Sequence, residues 1–287
     1  MPGSGCIKQP DVYDQMSIPN RIEDLIHYVF LSTIAGFGVV SQNRILGLCG
    51  DIKNCFSINA DELFYRDEMC AARDRVGKKR LELFINSRNS EEKREQAEAI
   101  IEKCVVKDIE IITAVDQRYP DRFKGLPDMP VVIYAKGDLR INSFTRSIGI
   151  VGARRCSQGG KQSAITIACE EIQKGSASIS GMAKGIDSYA HTAALKNGGY
   201  TIAVLGNGTD ICYPEEHERL YQEIMLKGCI LSEYTPETKA REYRFPQRNR
   251  LIAALSDEVY VIDAGSRSGT QTTVEACGRY GRIRLFL

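Results

Sequence analysis

The chain has 287 residues, with 38 Lys and Arg against 37 Asp and Glu for a net charge of +1, and it is 43% hydrophobic and 26% charged. That balance excludes a polycation that grips nucleic acid along its whole length and excludes disorder over most of the chain, while leaving room for a local basic site. No stretch reaches the ~18 consecutive apolar residues of a membrane span, and Met1 to Asn20 lacks the basic start and apolar core of a signal peptide, so a cytoplasmic protein with no membrane partner is expected.

Residues 1–20 carry Gly, Pro, Ser and Gln without periodicity and read as a loose tail. Residues 21–108 read as a helical domain. Apolar residues at 22, 25, 26, 29 and 30 share one helix face, and Asn89-Ser90-Glu91-Glu92 supplies a cap with an acid at the third helical position before a long polar helix. Residues 1–108 together sum to 15 positive and 17 negative charges; the run Arg73 to Arg80, with five cations and one acid, reads as a solvated helix face or a secondary DNA or partner contact.

After Asp108 the pattern changes. Short β-branched runs alternate with amphipathic segments: Ser147 to Val151, Ala177 to Ser180, Tyr200 to Leu205, Cys229 to Ser232 and Glu258 to Ile262. Strands separated by helices imply an α/β domain over residues 109–287, with a doubly wound, mostly parallel sheet. Strand-like runs at Ile111 to Ala114 and Val131 to Tyr134 belong with it. Its charges sum to 23 positive and 20 negative. The ten cysteines include no C-x-x-C pair, which argues against a zinc ribbon, and most lie in apolar runs as small hydrophobes; no metal or cofactor is expected.

In a doubly wound sheet, ligands bind beyond the carboxyl ends of the strands. The first such loop, Gly152-Ala153-Arg154-Arg155-Cys156-Ser157, offers two arginines and a hydroxyl at a helix start, the features an anionic oxygen needs. It is not G-x-G-x-x-G, which disfavours a standard dinucleotide site. The second, Gly181-Met182-Ala183-Lys184-Gly185-Ile186-Asp187, offers Lys184 as a phosphate ligand. Asp187 reads as a helix cap and His191, one turn on, as structural. The third, Gly206-Asn207-Gly208, could let a ligand approach backbone or could simply be a tight turn. Lys239 to Arg250 carries five cations and one acid in twelve residues, with Tyr243 and Phe245 interleaved. Arg244, Phe245, Arg248, Asn249 and Arg250 thus pair phosphate neutralisation with stacking surface, the components of single-strand binding; a solvated loop is the alternative. Ser268, Gly269 and Thr270 open a last helix start that could hold another phosphate.

The succession G-A-R-R, S-G-M-A-K-G-I-D-S-Y-A-H, T-I-A-V-L-G-N-G-T-D-I-C-Y-P, L-S-E-Y, F-P-Q-R-N-R-L-I-A-A-L-S and S-G-T-x-x-T closely resembles the DprA/Smf family of bacterial DNA-processing proteins. The resemblance reaches back through Tyr119-Pro120 and Val132 to Gly137, and Leu31 to Phe64 resembles the family's helical domain of the sterile-alpha-motif or helix-hairpin-helix type. It implies an extended Rossmann-like domain that binds single-stranded DNA in a basic pocket, dimerises, and helps load a RecA-type recombinase, often during natural transformation. By position, Arg154, Lys184, Arg248, Asn249 and Arg250 would line that pocket, with Gly181, Gly185, Gly206 and Gly208 shaping it. In the helical domain, Gly36-Phe37-Gly38 would either pack or present amides to phosphate.

Departures from the family pattern are local. Ala153 stands where Ser is common, Gly159 where a bulkier residue is common, and Lys184 where Arg is usual, which keeps charge and loses bidentate geometry. The chain ends at Gly281 to Leu287, in what the resemblance makes the last strand, so a sheet domain cut short at that end is expected. The rival reading is a nucleotide-binding protein or nucleotide phosphoribohydrolase on the same core. That enzyme signature, G-G-x-G-T-x-x-E, places its Glu three residues after Thr. Here Glu275 falls five after Thr270, which moves the carboxylate about 200° round the helix from the signature's position.

Overall fold

The computed structural model describes residues 18–265 and 269–287. The chain divides into two units, the first ending at Glu98 and the second running Ala99–Leu287. The tail expected over residues 1–20 lies outside the described residues as far as Ser17, and Ile18 already opens the first helix.

The first unit consists of α1 (Ile18–Thr33), α2 (Val39–Cys49), α3 (Ile52–Ser57), α4 (Ala60–Met69), α5 (Lys78–Ser87) and the start of α6 (Glu91–Val106). α1 buries Ile26, Val29 and Phe30 at the expected spacing, whereas Ile22 is 52% exposed. Between α1 and α2, Phe37 is buried and stacks on Phe84 at 5.7 Å, while its amide donates to the Ile34 carbonyl at 3.1 Å. The Gly36-Phe37-Gly38 turn thus serves packing. Ser90 accepts from the Lys93 amide and caps α6.

The second unit is an eight-stranded sheet with helices on both faces. Its strands are β1 (Glu110–Thr113), β2 (Val132–Gly137), β3 (Ser147–Gly152), β4 (Ala177–Ser180), β5 (Thr201–Leu205), β6 (Cys229–Ser232), β7 (Glu258–Ile262) and β8 (Ile283–Phe286), in the order β1-β2-β6-β5-β4-β3-β7-β8. β2 runs antiparallel to both its neighbours, and every other pairing is parallel. The helices are α7 (Gln158–Gln173), α8 (Ile186–Lys196), α9 (Glu218–Lys227), α10 (Arg244–Leu255) and α11 (Gln271–Tyr280).

Period-two alternation along the strands makes both faces apolar. Val151, Ile202, Val204, Val259 and Val261 pack with Leu251 to Leu255 of α10 and with Ala276 and Cys277 of α11. Ile148, Ile150 and Ile262 pack with Ala164 and Ala168 of α7 and Ala190 of α8. Ala203, Leu205 and Ile230 meet Tyr221 and Ile224 of α9. β4 lies on one side of β3 and β7 on the other. The chain therefore reverses its winding at β3, and a crevice opens at the carboxyl ends of β3 and β7.

Of the described cysteines, Cys49, Cys55, Cys104, Cys229 and Cys277 are buried, Cys70, Cys156, Cys169 and Cys212 are half-buried, and all are free thiols. No helix among the described residues is long and apolar enough to cross a membrane.

Candidate nucleic-acid interface

Two adjoining clefts lie over the strand ends. The larger, about 430 Å³, is lined by Gly152 at the end of β3 and Arg154 after it, Asp187 of α8, Phe245, Arg248 and Asn249 of α10, and Gly269, Thr270 and Thr273 at the start of α11. The smaller is lined by Lys184, Gly206, Asn207, Tyr213 and Pro214, and shares Arg154, Ala183, Phe245 and Arg248 with the first. Those shared residues form the divide between the clefts.

At the divide the Arg154 guanidinium lies over the Phe245 ring, 5.5 Å from its centroid. Tyr213 stacks on the same ring at 5.6 Å and 24°, and remains 43% exposed. Arg154 is exposed and, among the described residues, pairs with no acid. It is therefore a cation held in place by an aromatic face and left with its full charge. Gly206 lies against the edge of Phe245. Outside the clefts Arg244 reaches over Tyr234 and Tyr243, at 5.0 and 5.5 Å, and Arg155 is exposed.

Arg248 is a buried cation, 4% exposed, and it donates through Nη1 to the Val204 carbonyl while its Nε has no partner among the described residues. Burial works against its charge and Asp187 supports it. Burial raises the Asp187 carboxyl to about 6, with Arg248 the main opposing influence. A Cβ on Gly181 would stand 2.5 Å from both Nη atoms of Arg248 and 2.5 Å from Asp187 Oδ2, so only glycine fits between them. Gly185, at φ +80°, has the same necessity: a Cβ there would lie 2.3 Å from the Ala153 carbonyl oxygen, where the first and second loops abut. His191 is fully buried, with Nε2 3.0 Å from the Gly181 carbonyl and Nδ1 2.7 Å from Thr201 Oγ1, and burial holds it down to about 4. It is a neutral structural histidine that props the Gly181 loop.

Several expected ligands have protein partners. The Ser157 hydroxyl caps α7 by accepting from Gly160 N at 2.9 Å, and the Ser157 amide donates to Asp263 at 2.7 Å. A Cβ on Gly160 would collide with the Asp263 carboxylate. The α7 N-terminus expected to receive an anionic ligand is therefore filled by a carboxylate from the end of β7. Arg250 faces away from the clefts: it forms a bidentate pair with Glu233 at 2.8 and 2.6 Å and donates to the Asp128 carbonyl. Asn249 ties α10 to α11 by donating to the Gly269 carbonyl and the Thr272 hydroxyl. Lys184 reaches Glu216 in a pair more than half exposed on both sides. The Gly208 amide donates to the Thr238 carbonyl, and Asp210 in the same loop takes Lys107 at 2.5 Å, so this loop is tied down locally. Ser268 lies outside the described residues.

Thr273 and Tyr213 were not among the residues expected at the site. Thr273 is fully buried with a hydroxyl that has no partner among the described residues, and it lines the larger cleft. It sits three residues after Thr270, where the phosphoribohydrolase signature carries its Glu, while Glu275 is exposed on another side of α11. Tyr213 had a readable signal, an aromatic closing a glycine loop after a strand.

Residues 110–286 match the family model for DNA recombination-mediator protein A. The chain is 40% identical to DNA processing protein DprA of Streptococcus pneumoniae over 168 residues, 58% of this chain and 59% of the relative. It is 38% identical to the Bacillus subtilis DprA over 174 residues, 61% of this chain and 59% of the relative. The matched stretch thus spans about 59% of the length of these curated relatives. The X-ray structure of the Streptococcus pneumoniae DprA superimposes with a TM-score of 0.74 at 28% identity, covering 91% of this chain and 86% of that one. A Helicobacter pylori DNA processing protein A, solved for its single-stranded DNA binding mode, gives a TM-score of 0.57 at 31% identity, over 62% of this chain and 80% of that one. With the sheet order, the glycine loops and the cleft cations of the second unit all accounted for, the chain belongs to the DNA recombination-mediator protein A family, the DprA/Smf proteins.

Proposed function

We propose that this chain binds single-stranded DNA along the two adjoining clefts and acts as a recombination mediator, helping a RecA-type recombinase assemble on the strand, as in DNA processing during natural transformation. The observation that carries this reading is the divide: an Arg154 held on Phe245 with no ion-pair partner among the described residues, a Tyr213 ring exposed beside it, and the buried Arg248 beneath. Phosphates meet Arg154, Arg248 and Lys184 once Lys184 leaves Glu216, while bases stack on Tyr213 and Phe245. Every base has a π-face, so such a site grips a strand with little regard for sequence. Gly269, Thr270 and the free Thr273 hydroxyl add donors at the start of α11, where the helix dipole favours an anion.

The protein works in the cytoplasm as a homodimer, without metal or cofactor, on this reading. The Helicobacter pylori relative supports it through the single-stranded DNA it was solved to explain. The enzyme alternative is disfavoured by Thr273 standing in the carboxylate's place. Light scattering with and without an oligo-dT strand tests the reading: a dimer that gains the mass of bound strand is expected. Absence of strand binding at low salt, or release of free base from nucleoside monophosphates, contradicts it.

A further inference from the structure

A carboxylate is an odd lining for a cleft that receives phosphates, yet Asp187 lines the larger cleft and is only 6% exposed. Its own hydrogen bonding is thin: Oδ2 takes a long bond, 3.4 Å, from the Ala183 amide, and the nearby Ser180 hydroxyl, which supports the carboxylate, also donates to the Ile150 carbonyl. Across the α-carbon of Gly181 stands the Arg248 guanidinium, nearer than any side chain on residue 181 would permit, though no direct ion pair joins the two. Arg248 itself has one donor on a carbonyl and its Nε unused. A guanidinium buried with an idle donor and a poorly bonded carboxylate nearby is a charge whose partner has been supplied provisionally.

We propose that Asp187 is the resident counter-ion of Arg248, holding the guanidinium at the cleft wall while the cleft is empty, and that a DNA phosphate takes over this role on binding, with uptake of a proton by Asp187. The inference rests on the DNA reading of the cleft. Asp187 is a positioning residue: it acts on the strand through Arg248. Its place in the first turn of α8 favours the ionised form in the free protein. Facing it are Arg248 from α10, Arg154 after β3, the Ser180 hydroxyl and the Ala183 amide. Glu242 lines the same cleft from the segment before α10. Further along α8, neutral His191 bonds the Gly181 carbonyl, and His217 reaches the Met182 carbonyl at 3.0 Å. Burial already sets the carboxyl at about 6, so a phosphate placed beside Arg248 needs to raise it only modestly for protonation near neutral pH. The phosphodiester keeps its own charge throughout that range.

The test compares oligo-dT binding by the full chain and by Asp187→Asn, from pH 5.5 to 8. Wild-type affinity is expected to rise as pH falls through 7, approaching ~10-fold per pH unit where a whole proton is taken up. Asp187→Asn is expected to bind about as tightly at pH 7.5 as wild type does at pH 5.5, with the slope gone. Parallel profiles for the two proteins, or weaker binding by Asp187→Asn at pH 7.5, overturn the proposal. Calorimetry of the wild type in two buffers of different ionisation enthalpy reads proton uptake without any variant, and zero uptake at pH 6.5 also overturns it. If wild type binds no strand at any pH, the DNA reading fails; if it binds without uptake, only this inference does.

Discussion

Two segments of this chain look alike as sequence: Arg73 to Arg80 in the helical unit and Lys239 to Arg250 in the sheet unit, each with five cations and one acid. In the helical unit the cations stay on the surface. Arg73 is 88% exposed, and Lys78, Lys79 and Arg80 fill the first turn of α5, the wrong end of the helix dipole for positive charge. Arg75 spends its guanidinium on the carbonyls of Glu68 and Cys70, bracing its own loop. In the sheet unit the segment runs into α10, whose start lies beside three strand-end loops, so its cations are sorted by depth. Arg244 is outside, Arg248 is sunk into the cleft wall, and Arg250 is committed to Glu233. A count of charges cannot separate the two segments; the neighbouring loops do.

The comparison breaks most visibly at Arg250. Its side chain and that of Glu233 are 12% and 10% exposed, so removing one partner strands a buried charge. Arg250→Ala is expected to cost about 3–5 kcal/mol in urea unfolding, while Arg250→Met with Glu233→Leu recovers most of it. A loss below about 1 kcal/mol for the single variant would show a solvated pair like those of the helical unit.

Next in size is the pH response of the cleft floor. His191, held at about 4, contributes stability that is present above 6.5 and lost as pH falls through 4. Asp187, raised to about 6, contributes the opposite: its share is present below 3.8 and lost as pH rises through 6. The two offset each other between pH 6 and 4. In Asp187→Asn the histidine loss stands alone, so acid unfolding from pH 6.5 to 4 is expected to steepen by on the order of 3 kcal/mol relative to wild type. Equal slopes in denaturant titrations at pH 6.5 and 4 would contradict the assignment of either group. The smallest effect is expected at Arg80→Ala, where an exposed cation leaves the first turn of α5; stability should change by less than about 0.5 kcal/mol, and a larger loss in thermal unfolding would reveal a contact there.

Much of the sheet unit was legible because strand alternation and glycine punctuation are local signals. The runs at 147, 177, 200, 229 and 258 became β3 to β7, and the loops after β3, β4 and β5 converge with α10 at the carboxyl ends of the strands. What was hidden depended on helix phase and on distant chain. Arg248 and Arg250 are two residues apart, roughly 200° on a helix, so they face opposite ways, and nothing in F-P-Q-R-N-R says which one meets the cleft. Asp263, the carboxylate at the start of α7, is 106 residues from the Ser157 amide it accepts from. The role of Gly181 emerges only once Arg248 and Asp187 are seen on either side of it.

The central claim, that the cations at the strand ends and not those of the helical unit hold the strand, is tested most directly by the salt dependence of oligo-dT binding. Wild type, Arg154→Ala and Arg80→Ala would be titrated between low and moderate salt. The slope of log affinity against log salt should shrink by about 0.7 for Arg154→Ala, one lost single-strand phosphate contact, and stay unchanged for Arg80→Ala. An unchanged slope for Arg154→Ala together with a reduced one for Arg80→Ala would move the DNA to the helical unit and contradict the account.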